Sequence, residues 1–204
     1  MHGINYIEHR ISCPEHSHHK TFITAALFCV WVAGASAESI KIVALGGSNT
    51  FGKNLSRSAA YPAQLESMLK GKGYDVVVIN EGTNGQTTYD ELGKLDTVVT
   101  VDTKIVIFQP GGNDRRKGKS GTKSNIQTII EKLQERKILV LFSGGEGKQR
   151  AVEQFNIQMI DEINKLAPDD LQPDGEHLTA RGYSLAAEKM LPAVQSLIEQ
   201  IKAR

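Results

Sequence analysis

Short apolar runs alternate with longer stretches of helical period along most of this chain. Ile40 to Gly46 is an apolar run too short for a helix. It breaks at Gly46-Gly47 and delivers Ser48 at once, which predicts a buried strand ending in a tight turn with a serine at its tip. Ser58 to Leu69 carries Tyr61, Leu65, Met68 and Leu69 at helical spacing, and Gly71-Lys72-Gly73 supplies a stop. Tyr74 to Ile79 is rich in β-branched residues and reads as a fully buried strand. It runs into Asn80 to Thr88, a loop too polar and glycine-rich for a core. Thr88 to about Leu95 is a weak helix candidate, and Thr103 to Phe108 is a third strand, followed by Gln109-Pro110-Gly111-Gly112-Asn113-Asp114. Lys117 to Thr122 is a polar loop. Lys123 to Glu135 is an amphipathic helix presenting Ile126, Ile129, Ile130 and Leu133 on one face. Ile138 to Phe142 is a fourth strand ending in Ser143-Gly144-Gly145. A long helix is expected over about Gln149 to Leu166, a polar segment over Asp169 to Thr179, and a closing helix over Ala180 to Ile201 after an irregularity at Arg181-Gly182.

Strands alternating with helices predict a parallel sheet wrapped by helices on both faces, with right-handed crossovers. All strands of such a sheet end on the same edge. The loops at Ser48, Gly85 and Asn113, far apart in sequence, should therefore meet, and strand ends of this kind are where ligands bind.

The chain has 204 residues, enough for one well-cored domain. Its formal net charge is +1 and its basic residues are scattered, so composition does not suggest nucleic-acid binding. The N-terminal part stands apart from the fold. Thr21 to Gly34 is an apolar segment preceded by Lys20 and followed by Ala35-Ser36-Ala37, a pattern typical of signal-peptidase cleavage. Residues 1–37 are thus expected to be a signal peptide or leader, and 38–204 the folded domain. The product would be exported, with no stable membrane span once the leader is removed. An uncleaved anchor and a start codon further downstream are alternative readings.

Removing the leader changes the chemical inventory. Cys13, Cys29, Trp31 and five of the six histidines lie within it, leaving His177 as the single histidine of residues 38–204. A cysteine nucleophile, a disulfide framework and a multi-histidine metal site are thereby excluded from the expected mature domain.

A serine hydroxyl needs a base, a group to orient that base, and donors for a developing oxyanion. Asp174-Gly175-Glu176-His177 offers the first two from one short loop, since a carboxylate three residues before a histidine can accept from one imidazole nitrogen and leave the other facing the serine. The same segment also fits the start of a helix, with Thr179 as its capping residue. Gly85 and Asn113 are candidates to donate, with the N–H of Ser48, to one oxyanion. Their ordinary alternatives are a turn glycine and a loop cap.

These residues fall into four blocks in a fixed order: Gly46-Gly47-Ser48-Asn49-Thr50, Asn80 to Gly85, Gly111-Gly112-Asn113-Asp114, and Asp174-Gly175-Glu176-His177. In this the chain resembles an SGNH hydrolase of the GDSL esterase/lipase family over nearly all of residues 38–204. The resemblance implies a flavodoxin-like three-layer α/β/α sandwich with a parallel sheet of four to five strands. It implies Ser48 as nucleophile, Asp174 and His177 as its triad partners, and Ser48, Gly85 and Asn113 as the oxyanion hole. It further implies small ester or thioester substrates and no metal or organic cofactor. Two departures stand out. Gly47 occupies a position where the family usually has aspartate, removing a loop-bracing carboxylate. The connection from Leu166 to Asp174 is short, which would leave four strands or a stunted fifth and could displace His177.

Other functions compete with ester hydrolysis. A catalytically weak or inactive relative would bind an acyl or carbohydrate ligand in the same pocket. Gly47 to Asn54 nearly matches a nucleotide-binding P-loop, but Asn54 stands where a magnesium-binding hydroxyl is required. The nucleophile elbow of the larger α/β-hydrolases is not met either, because Thr50 replaces its second glycine. Little sequence remains for a lid, so an open, shallow site suited to short acyl groups is expected. Arg115, Arg116 and Lys117 would lie at its rim, either as solvated surface charge or facing an anionic leaving group.

Overall fold

The computed structural model describes residues 38–160 and 166–204. The expected leader, 1–37, lies outside the described residues. Five parallel strands form the sheet: β1 (Ile40–Gly46), β2 (Val76–Gly82), β3 (Thr103–Gln109), β4 (Leu139–Ser143) and β5 (Gln158–Ile160). Their spatial order is β2-β1-β3-β4-β5. The described helices are α1 (Ser48–Phe51), α2 (Tyr61–Gly71), α3 (Thr88–Val98), α4 (Asn113–Arg116), α5 (Thr122–Glu135), α6 (Glu146–Gln149) and α7 (Ala180–Lys202).

The period-two alternation of the central strands produces the layers. Ile42, Ala44, Ile105, Ile107 and Leu141 face α2 and α7, packing on Tyr61, Leu65, Tyr183 and Ile198. Their neighbours Val43, Leu45, Val106, Phe108 and Phe142 face the other way, onto Leu95 of α3 and Ile126, Ile129 and Leu133 of α5. A strand buried on both faces must be apolar at consecutive positions, which is what Ile42 to Leu45 and Ile105 to Phe108 display. The chain order reverses direction between β1 and β3, and in open α/β sheets the crevice outside the strand ends at such a point is the binding position.

Three expectations change. β2 is an edge strand, with Val76 and Val78 buried but Val77 and Ile79 only half-buried. It also continues through Asn80-Glu81-Gly82, expected as loop, because those residues stay in register with Ala44, Leu45 and Gly46 of β1. The expected long helix over Gln149 to Leu166 does not form in its described part. That stretch holds a 3-10 turn at Glu153–Phe155, a left-handed residue at Asn156 (φ 49°), and β5, which pairs with β4 through Leu141, Phe142 and Ser143. A left-handed asparagine ends a helix, and Gln158 to Ile160 instead pair their backbone with the open edge of β4. Residues 161–165 of the expected helix lie outside the described residues. The sheet therefore has the stunted fifth strand. Among the described residues no helix is long and apolar enough to cross a membrane.

Candidate active site

β1 ends at Gly46, and the chain turns immediately into the single helical turn of α1, which carries Ser48. The Phe51 N–H donates to the Gly47 carbonyl at 2.9 Å, and Gly52, left-handed at φ 89°, closes the turn with its N–H on Ser48 O at 3.0 Å. Two glycines make the turn possible by close approach. A Cβ on Gly46 would lie 2.3 Å from Thr50 Oγ1 and 2.4 Å from the Gln109 carbonyl, and one on Gly82 would lie 2.2 Å from Phe51 N. With no carboxylate at position 47, buried Thr50 braces the turn, its hydroxyl donating to Gln109 Oε1 at 2.6 Å. Arg57 adds a second brace, donating to the Phe51 carbonyl at 3.3 Å and the Asn80 carbonyl at 3.0 Å, with its guanidinium 4.4 Å from the Phe51 ring centre.

The histidine arrives on a narrow loop. Leu171 and Leu178 form an isolated antiparallel bridge, and the Gln172 N–H donates to the His177 carbonyl at 2.7 Å. Thr179 caps α7, accepting from Gly182 N at 3.1 Å, and Gly182 is required there because a Cβ would meet Asp170 O at 2.3 Å. Thr179 is thus the capping residue that the sequence suggests, whereas the irregularity expected at Arg181-Gly182 does not form: both residues lie in the first turn of α7, where the missing Cβ of Gly182 lets the helix seat tightly on this loop. The short connection does not carry His177 away. Its Nε2 lies 2.8 Å from Ser48 Oγ and its Nδ1 lies 2.7 Å from Asp174 Oδ2. His177 is only 3% exposed and Ser48 9%. The N–H groups of His177 and Glu176 both donate to Asp174 Oδ1 at 3.0 Å, and with the imidazole contact they hold the Asp174 carboxyl well below the usual carboxylate range.

Ser48 stands between two clefts. The larger, of about 290 Å³, reaches Gln109, Arg115, Leu166 and Leu171. The other, of about 280 Å³, brings Gly85 and Asn113 to Ser48 and His177. Gly85 is left-handed at φ 73°, and nothing lies within 4 Å of where its Cβ would be. Asn113 is 6% exposed; its Nδ2 donates to the Gln86 carbonyl at 2.8 Å, which uses one of its two protons. Of the five residues singled out in sequence, Ser48, Gly85, Asn113 and His177 therefore border one site, and Asp174 stands behind it on the far side of the imidazole. Arg115 and Arg116 lie at its rim, and Arg116 pairs with Glu176.

The P-loop reading does not survive the backbone. In that motif the Lys opens a long helix, whereas here Lys53 follows a finished turn, Asn54 is left-handed at φ 65°, and α2 starts only at Tyr61.

Several residues around the site were not legible as such. Gln172 donates to Lys53 O at 2.9 Å and Leu178 O at 2.7 Å, and accepts from Asn54 Nδ2 at 2.9 Å. Lys148 donates to the Pro110 and Gly111 carbonyls at 2.6 and 2.9 Å beneath the asparagine loop. Asp114 accepts from the Thr88 N–H and hydroxyl, the latter at 2.6 Å, tying that loop to the start of α3. Asp114 alone had a sequence signal, its place in the Gly111-Gly112-Asn113-Asp114 block.

Similarity to known proteins follows the same outline. Residues 44–168 match the model of the GDSL-like lipase/acylhydrolase family. An arylesterase of Vibrio mimicus is 33% identical over 92 residues, which is 45% of this chain and 45% of that protein, so the chain matches under half of that relative's length. The crystal structure of AlinE4, an SGNH-hydrolase family esterase, is 31% identical and superposes with a TM-score of 0.59, covering 78% of this chain and 96% of that one. TesA, at 21% identity, shares the fold with a TM-score of 0.69 over 77% of this chain and 99% of its own. With the family model spanning more than half of the sequence and the sheet ordered as described, the chain belongs to the GDSL-like lipase/acylhydrolase (SGNH hydrolase) family.

Proposed function

We propose that this protein is a serine esterase that cleaves small carboxylic esters or thioesters through an acyl-enzyme on Ser48. The observation that carries the reading is the continuous relay from Asp174 Oδ2 to His177 Nδ1 at 2.7 Å and from His177 Nε2 to Ser48 Oγ at 2.8 Å. An ionised Asp174 accepts the Nδ1 proton, which selects the tautomer with a bare Nε2 facing the serine. His177 then takes the hydroxyl proton as Ser48 Oγ attacks the ester carbonyl. The tetrahedral oxyanion is received by the N–H groups of Ser48 and Gly85 and by the Asn113 amide. Collapse expels the alcohol or thiol, protonated by His177, and water repeats the sequence in reverse to free the acid.

The size of the larger cleft and its two leucines, Leu166 and Leu171, favour a short acyl chain. The esterase relatives agree with the bond cleaved. A fluorophosphonate should label Ser48 of the wild type and leave Ser48→Ala unlabelled. Ser48→Ala should also lose at least ~10³-fold in turnover of p-nitrophenyl acetate. Full turnover by that variant, or a well-folded wild type inert to activated esters and thioesters of two to twelve acyl carbons, rejects the reading.

A further inference from the structure

The usefulness of the Asn113 amide depends on which way round it sits. One face offers N–H donors and the other a carbonyl lone pair, and the wrong face would aim negative charge at a developing oxyanion. Two contacts specify the orientation independently. The Gln86 carbonyl, which can only accept, takes a proton from Nδ2 at 2.8 Å. The Arg116 guanidinium, which can only donate, gives Nη2–H to Oδ1 at 2.9 Å. Both contacts select the same flip.

The second arm of the same guanidinium goes elsewhere. Arg116 Nη1 donates to the Glu176 carboxylate, one residue before His177. The Glu176 carbonyl in turn accepts from Asn49 Nδ2 at 3.1 Å, one residue after Ser48. One planar group thus joins the loop after β3 to the loop that carries the histidine.

We propose that Arg116 is a positioning residue for the reaction, holding the donor face of Asn113 toward Ser48 while fixing the distance between the asparagine and histidine loops. The inference rests on the reading of Asn113 as an oxyanion donor given above. An ordinary surface ion pair is the competing account, because the Arg116 and Glu176 side chains are 42% and 53% exposed. Such a pair contributes little to stability. The two accounts therefore differ in what a substitution changes: a decorative pair changes neither turnover nor melting, whereas a positioning residue changes turnover alone. Lysine should not replace arginine, since Asn113 and Glu176 are reached by two separate nitrogens of a rigid planar fork, and lysine carries its donors on one nitrogen at the end of a flexible stem.

The test uses a neutral ester, p-nitrophenyl acetate, so that substrate charge is not measured. Arg116→Met and Arg116→Lys are each expected to lower kcat by roughly tenfold with KM within about twofold and the melting temperature unchanged. Glu176→Gln, which leaves Arg116 on Asn113, should cost less. In an Asn113→Ala background, Arg116→Met should cost no more than about twofold, because the group it orients has gone. Wild-type kcat in both Arg116 variants, a change confined to KM, or full additivity with Asn113→Ala overturns the proposal while leaving the esterase reading intact. An Asn113→Ala enzyme with undiminished kcat overturns the proposal together with the oxyanion assignment beneath it. Should Arg116→Met fold poorly, Arg116→Lys and the Glu176→Gln comparison carry the same decision.

Discussion

The side-chain amide of Asn49 donates to the backbone carbonyl of Glu176 at 3.1 Å, so the residue after Ser48 is bonded to the residue before His177. The Asn49 amide is held at its other end too, its Oδ1 accepting from the Tyr183 hydroxyl of α7 at 3.4 Å. Gln172 runs a second link in parallel, from the histidine loop to Lys53 and Asn54. The separation of serine and imidazole is therefore set by two side-chain bridges spanning more than a hundred residues of sequence.

Those bridges should matter more to rate than to stability. Each is worth about 1 kcal/mol to folding. Misplacing reacting groups by about 1 Å can cost ~10²-fold in turnover. Asn49→Ala combined with Gln172→Ala is expected to lower kcat on a short p-nitrophenyl ester by roughly 10²-fold while shifting the melting temperature by only a few degrees. Steady-state kinetics beside a thermal melt check this, and a melting loss without a kcat loss would show the links to be purely structural.

Gly82 gives the opposite balance. Its absent Cβ would sit 2.2 Å from Phe51 N and 2.5 Å from Thr50 C, both backbone atoms of the turn that carries Ser48. Backbone cannot step aside as a flexible side chain can, so Gly82→Ala should cost about 1–3 kcal/mol and displace the serine turn. Gly93 is the control. It lies within α3 with nothing within 4 Å of its would-be Cβ, so Gly93→Ala should instead stabilise by about 0.5–1 kcal/mol. Urea unfolding of both variants measures the contrast, and equal effects at the two positions would contradict it.

How far the sequence could be read follows from the range of the forces involved. Ser48, Gly85 and Asn113 could be placed because a parallel sheet sends every strand end to one edge, and His177 because residues 38–204 contain no other imidazole. The segment from Gln149 to Ile160 was misread because its apolar spacing suits a helix, while its strand exists only through the free edge of β4. The same limit hid Gln172 and Lys148, and it hid the acceptors of Arg116, a residue that the sequence placed only at the rim. Each is a polar residue with no period of its own, and its meaning lies in acceptors brought close by tertiary packing.

Acid and alkaline stability should be governed by different carboxylates. Asp174, held low by the His177 and Glu176 N–H groups, contributes stability above its ordinary value of 3.8 that is lost as pH falls toward its folded value. Asp174→Asn should therefore flatten the acid limb of a stability profile below about pH 4. A variant that keeps the wild-type acid limb would remove Asp174 from that account.

Glu91 works with the reverse sign. It is fully buried in α3, and neither carboxylate oxygen has a hydrogen-bond partner of normal geometry. Burial pushes its carboxyl well above the ordinary 4.5, the negative charge of Asp114 adds to that, and Lys148, Lys94 and the Gly111 N–H oppose it. Below 4.5 both folded and unfolded chains hold the proton and nothing is lost. As pH rises from there toward the folded value, the unfolded chain releases a proton that the folded chain keeps, so stability falls; above both values the penalty is constant. Glu91→Gln never ionises, and should be more stable than the wild type at neutral and alkaline pH, with the advantage shrinking as pH drops toward 4.5. Urea midpoints for the two proteins between about pH 4 and 9 measure that difference, and one that stays constant across the range would mean that Glu91 is not kept protonated by its surroundings.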